Sequence, residues 1–133
     1  MMRDAMHAIV IVLLIVVTML SAGNSVNWIS SPVDQARPLN STTTFNCLVG
    51  GGGVGDRTVL WSKTNDDETR RTLFINEELF DAPARYRSSR ADDGSGYRLI
   101  IARIDASDDA DYACEIQQLV KASAHLTVLG SYQ

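Results

Sequence analysis

The chain has 133 residues, room for one domain, and its 12 basic and 16 acidic residues give a formal net charge of −4. Basic and acidic residues alternate along it, so no basic stripe suits nucleic acid, and the acidic balance argues against phosphate-rich partners. Of the two histidines, His7 lies in the N-terminal segment that reads as a signal peptide; with both cysteines paired, His125 alone is fewer ligands than a zinc site needs, so no metal and no cofactor are expected.

Residues 1–23 read as a secretory signal peptide. Arg3 opens the segment, an apolar run of about 13 residues spans Ala8 to Leu20, and small Ser21, Ala22 and Gly23 close it. A bilayer span needs roughly 20 apolar residues, so the run is short for an anchor. Asp4 cancels the charge of Arg3, and an uncleaved signal anchor is the alternative. Cleavage near Gly23 leaves residues 24–133, about 110 residues, the size of one antiparallel sandwich domain. No second apolar run follows, and Gly130 to Gln133 has no tail for a lipid anchor. The expectation is a secreted, extracellular protein with no membrane insertion after signal removal, or else a fragment of something longer.

Trp28 to Pro32 reads as an extended edge segment, since proline is tolerated at sheet edges. Trp28 either packs under that segment or stands out as an anchor. Asn40-Ser41-Thr42 is an N-glycosylation sequon. Phe45, Cys47 and Val49 share one face of a strand over 42–49. Gly50 to Gly55 breaks it as a flexible loop. A strand over 57–63 carries Val59 and Trp61 on one face, Thr64 to Arg71 is a turn, and Thr72 to Ile75 is a short apolar strand. Arg85 to Arg90 reads as an edge strand, Asp92 to Gly96 as a turn, and Tyr97 to Ile104 as a strand with Leu99 and Ile101 inward. The last hairpin joins 111–117 to 122–129. Short strands at this spacing without a helical period indicate an all-β sandwich.

Two cysteines bound for an oxidising compartment support a Cys47–Cys114 disulfide, and two free buried thiols are the alternative. Closing a loop of that length contributes about 4 kcal/mol in the chain-entropy model. Trp61 faces the same interior as Cys47. Leu99, Ile101 and Ile104 fill the core ahead of the second cysteine. Tyr112, two places before Cys114, suits a hydroxyl that bonds back to the preceding turn, and Asp108 is placed to pair with Arg85 across one end.

Cys47, Trp61, Arg85, Asp108, Tyr112 and Cys114 together resemble the immunoglobulin superfamily, over residues 28–129. The resemblance implies an immunoglobulin-like antiparallel β-sandwich with Greek-key connections, of the V- or I-set. Leu73 to Ile104 and Asp109 to Cys114 are similar to the N-terminal domain of neuronal adhesion proteins, the lachesin, IgLON and Dpr/DIP group. One departure is that the last strand opens Val120-Lys-Ala-Ser-Ala-His125, with no Gly-x-Gly bulge.

Alternation puts Leu60, Ser62, Ala113, Glu115, Gln117, Ser123, His125 and Thr127 outward on the sheet that holds Trp61, with one or two of Leu73, Phe74 and Ile75 beside them, Phe74 first. A face this weakly charged suits a protein interface; an ordinary half-polar face is the alternative. Pairing 117 with 123 would set Glu115 across from His125, a neighbour able to raise the histidine pKa and make binding pH-sensitive; a plain surface histidine is the alternative. The glycine run has no Lys-Ser/Thr pair to form a phosphate cradle. The acidic cluster Asp66 to Glu68 lacks calcium-loop spacing, and the cluster Asp108 to Asp111 is explained by the turn before Tyr112. No set of three positioned groups suggests catalysis, so the chain is not expected to be an enzyme. The leading expectation is a secreted single-domain protein binding an extracellular or cell-surface protein, another immunoglobulin-domain protein or a second copy, in cell–cell recognition or adhesion. The alternatives are an immune-type variable domain recognising foreign ligands, and the N-terminal piece of a multi-domain adhesion receptor.

Overall fold

Ten strands and one 3₁₀ turn run through residues 26–130, the part of the chain that the computed structural model describes. The signal peptide expected over 1–23 lies outside the described residues. The strands are β1 (Trp28–Ser30), β2 (Gln35–Pro38), β3 (Thr43–Val49), β4 (Val59–Thr64), β5 (Arg70–Ile75), β6 (Glu78–Leu79), β7 (Tyr86–Arg90), β8 (Gly96–Ile101), β9 (Ala110–Ile116) and β10 (Val120–Leu129). They form two sheets, in the orders β1-β3-β8-β7 and β2-β10-β9-β4-β5-β6.

The period-two pattern builds both inner faces. Phe45, Cys47 and Val49 of β3, Val59 and Trp61 of β4, Leu99 and Ile101 of β8, and Tyr112 and Cys114 of β9 are all buried. They meet in one cluster between the sheets. Cys47 and Cys114 bridge the sheets with a Cα–Cα distance of 6.4 Å, inside the span a disulfide accepts. Phe45 stacks on Tyr112, with ring centroids 5.3 Å apart. Trp28 is half-buried against this core.

Two strands were not expected from the sequence. Polar β2 runs parallel to β10, Gln35 opposite Leu126, so the sandwich is not wholly antiparallel. The chain crosses from β1 to β2 at buried Pro32, and Asp34 accepts the His125 N–H at 2.8 Å, which fixes the crossover to β10. Short β6 pairs with β5, Phe74 opposite Leu79. An edge of this kind beyond the β4–β5 pair is the variable-type strand plan. The turn expected over 64–71 is shorter, because Arg70 and Arg71 already pair with Thr64 and Lys63. Strand β8 ends at Ile101 rather than Ile104, and the chain bends at Arg103 (φ 49°) before Ile104 re-enters the core.

The glycine run is anchored at Gly53 and Val54, while Gly51, Gly52 and Gly55 face open space. Val54 is fully buried, its N–H bonds to Gly94 O at 3.2 Å, and a Cβ on Gly53 would collide with that same carbonyl. Gly96 likewise lies against Cys47 O with no room for a side chain. Strand β10 pairs with β9 in unbroken register from Val120 to Leu126, so the missing Gly-x-Gly bulge has a direct structural counterpart.

Candidate functional site

At one end of the sandwich sits a buried polar cluster built around Asp108. Its side chain is fully buried in the 3₁₀ turn Ala106–Asp108. Arg85 Nη1 and Nη2 donate to its two oxygens at 2.8 and 3.1 Å, and the Asp105 N–H adds a bond at 2.8 Å. Tyr86 Oη donates to the same carboxylate, and Tyr112 Oη donates to the Asp108 carbonyl at 2.7 Å. Burial opposes ionisation of Asp108, but the Arg85, Tyr86 and Asp105 bonds outweigh it and hold the carboxyl below its ordinary value. Burial raises both tyrosines.

Lys63 and Tyr86 belong to this cluster and were not singled out from the sequence. Lys63 Nζ donates to Ser107 O at 2.7 Å and lies 5.8 and 5.9 Å from the Tyr86 and Tyr112 ring centroids. Burial lowers its pKa. The signal was available: Val59, Trp61 and Lys63 have one parity, so Lys63 had to point inward. Every member is bonded to another, which is the chemistry of a structural cap.

The outward face of the six-stranded sheet has a different character. Its rows follow from register. Lys121 lies opposite Glu115, and Glu115 opposite Leu60; Ser123 opposite Ala113, and Ala113 opposite Ser62; His125 opposite Asp111, and Asp111 opposite Thr64. Leu60 and Ala113 are half-buried, while Glu115, Gln117, Ser123 and Thr127 are exposed. Thr58, Leu60, Glu115 and Gln117 surround a shallow depression of about 230 Å³.

Three expectations for this face need correction. Ser62 has outward parity but is only 1% exposed between its cross-strand neighbours Thr72 and Ala113, so it offers a partner no surface. Phe74 is 4% exposed and packs in the core. It is the partner of Trp61 across β4–β5, and a bulge between Trp61 and Ser62 leaves Leu73 unpaired, so Leu73 and Phe74 are both buried and Ile75 is the residue facing out. Finally, Glu115 lies opposite Lys121 rather than His125, because the β9–β10 turn is tighter than a 117–123 pairing requires.

His125 is instead clamped between two aspartates. Its Nδ1 is 2.8 Å from Asp111 Oδ1 and its Nε2 is 3.1 Å from Asp109 Oδ1. Asp111 is the chief cause of a raised histidine pKa, opposed by partial burial and helped by Asp109. Residues that the sequence reading passed over add apolar surface at the sheet's margins: Leu119 in the β9–β10 turn, and Leu79 and Phe80 at the β6 edge, the last two more than half exposed. Asn40 is exposed in the turn between β2 and β3, at the same end as the Asp108 cluster. Among the described residues no group of His, Cys, Asp or Glu side chains is arranged to hold a metal ion, and no helix is long and apolar enough to cross a membrane.

The strand plan, the inter-sheet disulfide on Trp61 and the Tyr112 hydroxyl bonded back to its own turn define an immunoglobulin-like β-sandwich. No family model matches the chain, and no curated protein does. Among solved structures, the RIG-5 IG1 domain, described as a homodimer, superposes with a TM-score of 0.64 at 22% identity, covering 78% of this chain and 95% of that one. That likeness is one of fold.

Proposed function

We propose that this is a secreted immunoglobulin-domain protein that binds extracellular or cell-surface proteins, in cell–cell recognition or adhesion, through the outward face of β10, β9 and β4. The observation that carries the reading is the middle of that face. Exposed Ser123 and half-buried Ala113 stand side by side as small side chains, bordered by Leu60 and by Glu115 opposite Lys121, whose charges cancel. A patch of small side chains with little net charge lets two sheets approach closely, and depletion of charge is what marks interface centres.

A second copy of the chain is the first partner to test, since the structural neighbour RIG-5 IG1 is described as a homodimer. A self-complementary patch with two-fold symmetry would place Ala113 near its own counterpart. Ala113→Arg puts a large cation there without touching the core. The test measures self-association by sedimentation, and binding to a panel of cell-surface ectodomains. Wild type should bind itself or a panel member, and Ala113→Arg should abolish that binding with an unchanged melting temperature. Wild-type protein that stays monomeric and captures no ectodomain would refute the proposal, as would Ala113→Arg binding like wild type.

A further inference from the structure

The opposite face of the sandwich has an electrostatic character that the net charge conceals. On β7 and β8, Tyr86, Ser88, Leu99 and Ile101 point inward, so Arg87, Arg98 and Ile100 point out. Arg87 lies opposite Ile100 and Arg98 opposite Ser89, while β3 adds Thr44 and Asn46. The two charged side chains that these strands turn outward in their paired stretches are both arginines. At the end of β8 a third joins them. The chain turns at Arg103 in the left-handed region, φ 49°, a conformation uncommon for a residue with a side chain. Arg85 holds that bend, donating to Ala102 O at 3.1 Å and Arg103 O at 3.0 Å. Arg87, Arg103, Ile100 and Thr42 then line one groove of about 310 Å³.

Of the nearby carboxylates, Asp105 and Asp108 pair with Arg85, while Asp93 accepts the Ser95 N–H at 2.9 Å and keeps its charge within reach of Arg98. Among the described residues, Arg87, Arg98 and Arg103 take part in no ion pair. A chain of net charge −4 therefore carries on this face three arginines with no ion-pair partner.

The geometry points to this groove and the adjoining Arg98 as a binding surface for a sulfated polysaccharide. Guanidinium groups grip the oxygens of sulfate as paired donors, which a point charge such as lysine does not. The groove has no aromatic side chain on which a base would stack, and single-stranded nucleic acids are bound through such stacking. The choice of a sulfated sugar polymer rests on the extracellular placement proposed above; the anion-binding surface itself does not.

The test titrates full-length protein with heparin-derived oligosaccharide across a salt series, by calorimetry. Thr42 belongs to the Asn40 sequon and also lines the groove, so Asn40→Gln protein is titrated alongside wild type. Arg87→Ala with Arg103→Ala should weaken binding about tenfold or more and lower the slope of log K against log salt by about one per arginine removed. Arg70→Ala, on β5 of the other sheet, should leave affinity unchanged, as should Ala113→Arg. The proposal is overturned by absent heparin binding in both forms, by a double variant that binds like wild type, by an equal loss in Arg70→Ala, or by single-stranded DNA binding as tightly as heparin. Retention of unprocessed chain inside the expressing cell would sink the secreted reading alone. Loss of self-association in Ala113→Arg with intact heparin binding would show that the two faces act separately.

Discussion

Replacing Arg85 with alanine removes two of the four donors on a fully buried carboxylate. Asp108 would keep the Asp105 N–H and Tyr86 Oη and lose both guanidinium bonds. The Arg85 side chain is 17% exposed and that of Asp108 0%, so the pair belongs to the interior rather than the surface. Removing one partner of such a pair costs about 3–5 kcal/mol. A domain of this size has roughly 5–15 kcal/mol in all, so the variant should sit near the edge of folding. At about 4 °C per kcal/mol the melting temperature should fall by about 12 °C or more. Arg85→Lys, which keeps the charge without the paired geometry, should lose less and keeps the test readable if alanine unfolds the domain. The pH dependence adds an independent check. Asp108 is held below its ordinary 3.8, so its stabilising contribution is present above that value and is lost as pH falls through the folded pKa. Without Arg85, burial raises the carboxyl and the acid transition should move to higher pH. Denaturant titration at pH 7 and acid unfolding measure both. A loss under about 1 kcal/mol, the range of exposed pairs, or an unmoved acid transition would refute the reasoning.

Two further outcomes follow from the same structure. Cys47→Ala with Cys114→Ala opens a bridge spanning 67 positions and should lower stability by about 4 kcal/mol; guanidinium denaturation checks it, and a loss under about 1 kcal/mol would mean the unfolded chain is not constrained by the bridge. His125 has a pKa raised above 6.5 by Asp111 first and Asp109 second. Its contribution should be full below 6.5 and lost as pH rises through the folded value, so melting temperatures of wild type and His125→Gln should converge at alkaline pH; parallel curves from pH 5 to 9 would remove the histidine's role.

How legible the fold was depended on whether a residue's neighbours lie along its own strand or across the sheet. The disulfide, Trp61 and Tyr112 carry their information in side-chain type and short spacing, and their positions could be read directly. Strand β2 could not. Gln35-Ala-Arg-Pro38 has no apolar period, and it is a strand only because β10 offers it an open edge and Asp34 closes the crossover. Phe74 failed for a related reason: a single bulged residue on β5 reverses parity, and nothing in Thr72-Leu-Phe-Ile75 announces which residue bulges.

The charges of the two faces depend on register and parity together. Alternation within β4 and β9 turns Leu60, Ala113 and Glu115 outward, and the same parity adds Asp111, which the sequence displays. The partner of His125 does not follow from alternation, because it depends on the length of the β9–β10 turn, and a shift in pairing replaces Glu115 with Asp111. The arginine face was hidden by the opposite effect. Read linearly, basic and acidic residues alternate and appear to cancel. Strand parity then sorts them: the outward positions of β7 and β8 receive Arg87 and Arg98, while the neighbouring acids fall in turns and bind Arg85 or Ser95. Charge that averages to nothing along a β-chain can therefore be segregated by face, and the composition of a sandwich bounds its partners less tightly than the parity of its strands does.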